Sequence, residues 1–179
     1  PIEEFDSRFN SVFQDGPISL NPISKILYLT RTSDRIKNNK NIQLDIFQIP
    51  FKNIGKQQPV PVEFNIDGYT TFHPSVSQDG QTLYFSSDRP DGYGGMDIYS
   101  IEINNDKPVG QVKNLGPDIN TENDEVFPFS FSKNILFYSS NNNHENKFNI
   151  LMASNEVFNR WKINILGEPF NSNGDDTSF

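Results

Sequence analysis

The sequence predicts an all-β fold, a β-propeller of three four-stranded blades plus the start of a fourth, which makes it a partial propeller or a fragment of a larger ring. Three observations predict it. An apolar strand ending in small polar residues occurs three times, as Ile26-Leu27-Tyr28-Leu29-Thr30, Leu83-Tyr84-Phe85-Ser86-Ser87 and Ile135-Leu136-Phe137-Tyr138-Ser139-Ser140. Tyr28, Tyr84 and Phe137 are then equivalent and stand 56 and 53 residues apart, a period of the size that propeller blades use. The bias toward Asn, Phe, Ile and Ser, with few Ala and Leu, disfavours helix and suits strands joined by polar turns.

Each copy is preceded by an innermost strand with a proline at its start: Pro17-Ile18-Ser19-Leu20, Pro74-Ser75-Val76-Ser77 and Pro128-Phe129-Ser130-Phe131-Ser132. Proline at a first strand position leaves the ladder intact. Between the two strands of the middle copy, Ser77-Gln78-Asp79-Gly80-Gln81 forms a short hairpin loop in which Gly80 supplies φ > 0. A third strand follows in each copy, at Leu44–Ile49, Met96–Ile101 and Phe148–Ala153. A weaker fourth lies around Pro61–Phe64, Val112–Leu115 and Trp161–Leu166. The connection Leu115-Gly116-Pro117-Asp118-Ile119-Asn120-Thr121-Glu122-Asn123-Asp124 is echoed by Leu166-Gly167-Glu168-Pro169-Phe170-Asn171-Ser172-Asn173-Gly174-Asp175, which puts Phe179 in phase with Phe127. The predicted boundaries are a linker at 1–13 and blades at 14–71, 72–126 and 127–179, all in one domain.

Charge and composition narrow the function. The formal net charge of -8 repels a phosphate backbone and an anionic membrane surface, so nucleic acid is not an expected partner. The absence of cysteine removes disulfides and thiolate metal sites. No apolar run approaches a membrane span, so no direct membrane insertion is expected. A chain that begins at Pro1 reads as processed or excised from something longer.

The phrase Ser77-Gln78-Asp79-Gly80-Gln81-Thr82-Leu83-Tyr84-Phe85-Ser86-Ser87-Asp88-Arg89 resembles the WD40-like propeller repeat of the TolB type. Gly92-Tyr93-Gly94-Gly95-Met96-Asp97-Ile98-Tyr99, with Asn114 to Thr121 and Asp124-Glu125-Val126-Phe127-Pro128, is similar to the propeller region of Bacteroidetes OmpA-like outer-membrane proteins. Some of these are PorE-like components of type IX secretion. The resemblance implies a place in the cell envelope, at the periplasmic face of the outer membrane. It also implies partners among envelope proteins or other domains of the same parent, with peptidoglycan reached only through a domain this chain lacks. Only the middle copy matches in full: the first has Asn38 to Asp45, and the third Asn141 to Asn149, in place of the Gly-Gly-x-Asp phrase.

Candidate site residues divide by chemistry. Asp79, Gly80, Asp88, Arg89, Gly94, Gly95 and Asp97 track the repeat and read as turn and loop-ordering residues. Asp34-Arg35 is the counterpart of Asp88-Arg89 in the first copy. The glycines open a strand, not a helix, which argues against a phosphate cradle. Asp118, Asn120 and Asp124, with Asp175 and Asp176, supply oxygen atoms of the kind calcium takes, though without EF-hand spacing. His73 and His144 are too few for a zinc site, and His73 before Pro74 suggests packing or a backbone hydrogen bond. No nucleophile elbow or cofactor motif occurs, so the expectation is a non-enzymatic scaffold without catalytic residues or cofactor, with Tyr69, Tyr93 and Trp161 as interface anchors. Two rival readings are a carbohydrate or muropeptide binder, and the propeller of a larger hydrolase such as the prolyl-oligopeptidase type.

Overall fold

A computed structural model describes residues 15–33, 43–105, 107–143, 145–157 and 160–177. The linker at 1–13 and the positions of Asp34, Arg35, His144 and Phe179 lie outside the described residues. Twelve strands form three antiparallel four-stranded sheets, each in chain order from its first strand to its last. The first blade contains β1 (Asp15–Leu20), β2 (Ile26–Thr32), β3 (Leu44–Pro50) and β4 (Val60–Pro61), with a 3-10 turn at Phe51–Asn53. The second contains β5 (Thr71–Val76), β6 (Thr82–Ser87), β7 (Asp97–Asn104) and β8 (Lys107–Asn114). The third contains β9 (Glu125–Ser132), β10 (Ile135–Ser140), β11 (Asn149–Val157) and β12 (Arg160–Ile165).

The predicted equivalence of Tyr28, Tyr84 and Phe137 holds at the level of register. Tyr28 faces Ser19 across the first hairpin, Tyr84 faces Ser75 across the second and Phe137 faces Phe129 across the third. The blades stack through two cores. Tyr28, Ile46 and Val62 of the first blade meet Val76, Leu83, Phe85 and Ile101 of the second. Ile98 and Ile119, with Tyr84 and Leu115, meet Leu136, Tyr138 and Ala153 of the third. Alternation within each strand sends one apolar set to each neighbour, as a stack of sheets requires.

Two expectations need correction. The prolines are not the first residues of the inner strands, which begin earlier, at Asp15, Thr71 and Glu125. Each strand tolerates its proline through a register shift, between Asp15 and Ile18, between Phe72 and Ser75, and opposite Phe137 to Ser139. His73 and Phe127, immediately before proline, adopt φ of 53° and 50°. The irregularity places the residue without an N–H where no ladder bond is needed. The fourth strand of the first blade is Val60–Pro61 and not Pro61–Phe64. The chain turns at Val62, where Asn65 N–H bonds the Val62 carbonyl, and the Asn65 side chain takes over the ladder's partners on Ile46.

Candidate interaction surface

Three asparagines do the same work in the three blades. The side chain of Asn65 accepts the Ile46 N–H and donates to the Ile46 carbonyl. Asn120 clasps Ile98 in this way, at 2.8 and 2.9 Å, and Asn171 clasps Ile150 at 2.7 and 2.9 Å. Each clasp ties an inter-blade connection to the third strand of the blade just completed. The sequence echo of 115–124 and 166–175 is therefore an echo of hydrogen bonds, including Asn120 N–H and Asn171 N–H to the carbonyls of Gly116 and Gly167.

The acidic residues on these connections have backbone partners. Asp124 accepts the Met96 N–H, and Asp175 accepts the Phe148 N–H. Glu125 takes the Thr121 N–H and hydroxyl together with the Ser140 hydroxyl, and Asp176 takes the Ser172 N–H and hydroxyl. Burial pushes the Glu125 carboxyl above its usual range despite these donors. Asp118 is bound by Arg160, whose guanidinium holds it below the usual carboxylate range. The five oxygen-bearing residues with calcium-like chemistry thus bind the protein's own donors, and no three carboxylates or histidines converge among the described residues.

The repeat-tracking residues order the hairpin between β5 and β6 and the loops where the connections dock. Asp79 accepts the Ser77 hydroxyl and the Gln81 N–H, and Gly80 takes φ of 71° in the hairpin. Asp88 accepts the Thr70 N–H at 2.6 Å, a task that Asn141 performs on Asp124 in the third blade. Asp97, fully buried, accepts the N–H groups of Tyr93 and Gly94 and the Asn114 amide. A side chain on Gly94 would overlap the backbone of Thr121 to Asn123, and one on Gly95 would overlap the Asp124 carboxylate. The Gly-Gly-x-Asp phrase is thus the bed on which the next connection rests.

His73 both packs and bonds. Its ring stacks between Phe72 and Phe127, each centroid 3.7 Å away, and Nδ1 accepts the Phe127 N–H. Burial lowers its pKa to about 3, so the ring is neutral. It lines a groove of about 360 Å³ along the inner strands, with Pro74, Ile18, Ser75 and Phe127. A larger groove of about 650 Å³ lies between the hairpin loops of the first two blades, at Asn21, Asp79, Gln81 and Glu102.

The expected aromatic anchors separate. Tyr93 is 53% exposed on the glycine-rich loop. Trp161 is half-buried against the core between the second and third blades, and half-buried Tyr69 gives its carbonyl to Gln43.

The third blade departs from the other two on the face where the next blade of a ring packs. Where Ser19 accepts the Val76 N–H of the next blade and Ser75 accepts the Ser130 N–H, both at 3.0 Å, the third blade has Phe129. Phe129 is 44% exposed and Phe131 51% exposed, and Phe131 meets Phe137 edge-on with centroids 5.9 Å apart. Sequence reasoning did not select these residues. The signal was present as a phase inversion: after the shared proline, Ser75-Val76-Ser77 becomes Phe129-Ser130-Phe131.

Comparison with protein-family models and with curated proteins gives no match. Among solved structures, the chain is similar to a Mycobacterium tuberculosis puromycin-hydrolyzing peptidase, at TM-score 0.55 and 13% identity over 86% of this chain and 23% of that one. It is similar to TolB from Acinetobacter baumannii, at TM-score 0.54 and 18% identity, covering 83% of this chain and 31% of TolB. Prolyl oligopeptidase B from Galerina marginata gives TM-score 0.50 and 12% identity over 83% of this chain and 21% of that one. The fold is therefore TolB-like and propeller-like, and the chain spans less than a third of the length of these structures.

Proposed function

We propose that the chain is a non-enzymatic propeller module that presents the glycine-rich loop around Tyr93 to another protein, within the bacterial cell envelope at the periplasmic side of the outer membrane. The observation that carries this is Tyr93, 53% exposed on a loop whose backbone is held by the Asp97 carboxylate. An exposed aromatic ring on an ordered loop is the kind of anchor that interfaces use. The resemblance of Gly92 to Tyr99 to OmpA-like propellers supports the envelope setting, and type IX secretion is the narrower form of the proposal. Affinity capture from cells carrying the intact parent protein tests it. Envelope proteins should be enriched by the native protein and lost with Y93S; no enrichment, or enrichment indifferent to the substitution, contradicts it.

A second reading, the propeller of a larger hydrolase, draws on the likeness in fold to the puromycin-hydrolyzing peptidase. The parent gene decides between them, because an adjoining α/β-hydrolase domain supports the second reading and overturns the first.

A further inference from the structure

Arg89 is a buried cation without an acidic contact. It is 6% exposed in the cleft between the first and second blades. Its guanidinium lies beside the stacked rings of Phe85 and Tyr99, with Cζ 5.1 and 4.9 Å from centroids that are 5.9 Å from each other. Nε donates to the Ser87 hydroxyl and Nη2 to the Phe64 carbonyl, each at 3.3 Å. Nη1 has no protein partner among the described residues, and no carboxylate there approaches to ion-pair distance. Asp88 is committed to the Thr70 N–H and Asp91 to the Tyr99 hydroxyl, so both act on Arg89 only through space.

The guanidinium borders a groove of about 330 Å³, walled by Phe64, Ile101, Pro108 and Val112, with Glu63 also on its lining. A guanidinium buried beside two rings, with Nε and Nη2 already bonded, has lost its side-chain freedom and much of its hydration, so an anion that reaches it meets a preorganised donor. Carboxylates accept charge-assisted hydrogen bonds from such a donor. Glu63 adds a negative charge that one carboxylate tolerates better than a phosphate dianion does.

We infer that this groove is a binding site for a singly charged carboxylate, with Arg89 as its anchor. Such a group is found on a small organic acid and at the C-terminus of a peptide. Tyr93 is not among the residues that line this groove, so the two proposals stand or fall separately.

The test follows the Arg89 Nε–H resonance of the whole chain by NMR during titration with N-acetylleucine, its amide and inorganic phosphate. The expected result is a saturable shift with the acid, none with the amide, and phosphate binding weaker by about tenfold. No shift with the acid, or an equal one with the amide or phosphate, overturns the inference. R89K should lose about tenfold in affinity, because a lysine does not offer the planar fork. If R89K does not fold, E63Q decides: it should tighten acid binding by about threefold, and an unchanged or weakened affinity contradicts the site. A peptide ending in leucine, free or amidated, distinguishes the sources. Binding of the free form at least as tight as that of the single acid assigns a chain terminus, and weaker binding assigns a small acid.

Discussion

Gly94 shows how a short motif is tied to a fold. Its missing side chain lets the connection from Thr121 to Asn123 lie directly on the loop before β7. G94A should cost about 3 kcal/mol of stability, since the obstacle is backbone and cannot swing aside. G167A, where an added carbon meets nothing and φ is ordinary, should stay within about 0.5 kcal/mol. Urea unfolding of the two variants checks the contrast. Asn120 gives a second case. N120A leaves the Ile98 N–H and carbonyl, both in buried backbone, without their side-chain partners, and should cost about 2–4 kcal/mol in the same measurement. His73 adds a pH dependence. Folded His73 stays neutral until about pH 3, whereas an unfolded histidine titrates near 6.5. The unfolded chain takes up the proton first as pH falls, so this contribution to stability is complete above 6.5 and is lost progressively between 6.5 and 3. At pH 5 the loss should be about 2 kcal/mol. H73N, with a residue that tolerates positive φ, should show a smaller fall in Tm between pH 7 and pH 5.

At the scale of the element, strand identity was legible and strand ends were not. Apolar alternation with Tyr28, Tyr84 and Phe137 in phase located β2, β6 and β10, because burial on both faces leaves a continuous apolar run. The prolines misled, since a proline placed at a register shift and one at a strand start look alike in a sequence. The short β4 was also hidden. Its truncation depends on Asn65 reaching Ile46, 19 residues away, and nothing local to Pro61 announces that bond. The same limit applies to the connections. Asn120, Asp124, Asp175 and Asp176 present oxygen atoms to any reader of the sequence, yet their donors are backbone N–H groups that only the folded chain brings near. The aromatic face of the third blade was readable in principle from the inverted phase of Phe129-Ser130-Phe131. Its exposure was not, since that depends on which neighbour a face receives. F129S/F131S should therefore leave unfolding by urea within about 1 kcal/mol of the native protein, because exposed side chains contribute little to the core.

For the whole molecule, stability comes from repetition. Two interblade cores, three asparagine clasps and two serine-to-backbone bonds between inner strands recur with the period of the sequence. Each blade leans on its neighbour, as in other repeat architectures, and function falls to surfaces the repetition leaves uncovered. The puromycin-hydrolyzing peptidase and TolB share the arrangement at 13% and 18% identity, which fits a fold set by periodic burial more than by particular side chains. Amide hydrogen exchange at Ile46, Ile98 and Ile150 tests this repetition most directly, because each amide is held by the asparagine of its own blade. The account predicts that all three are strongly protected in the native protein and that N120A releases Ile98 while Ile46 stays slow. Free exchange at any of the three in the native protein, or no change at Ile98 in N120A, would contradict it.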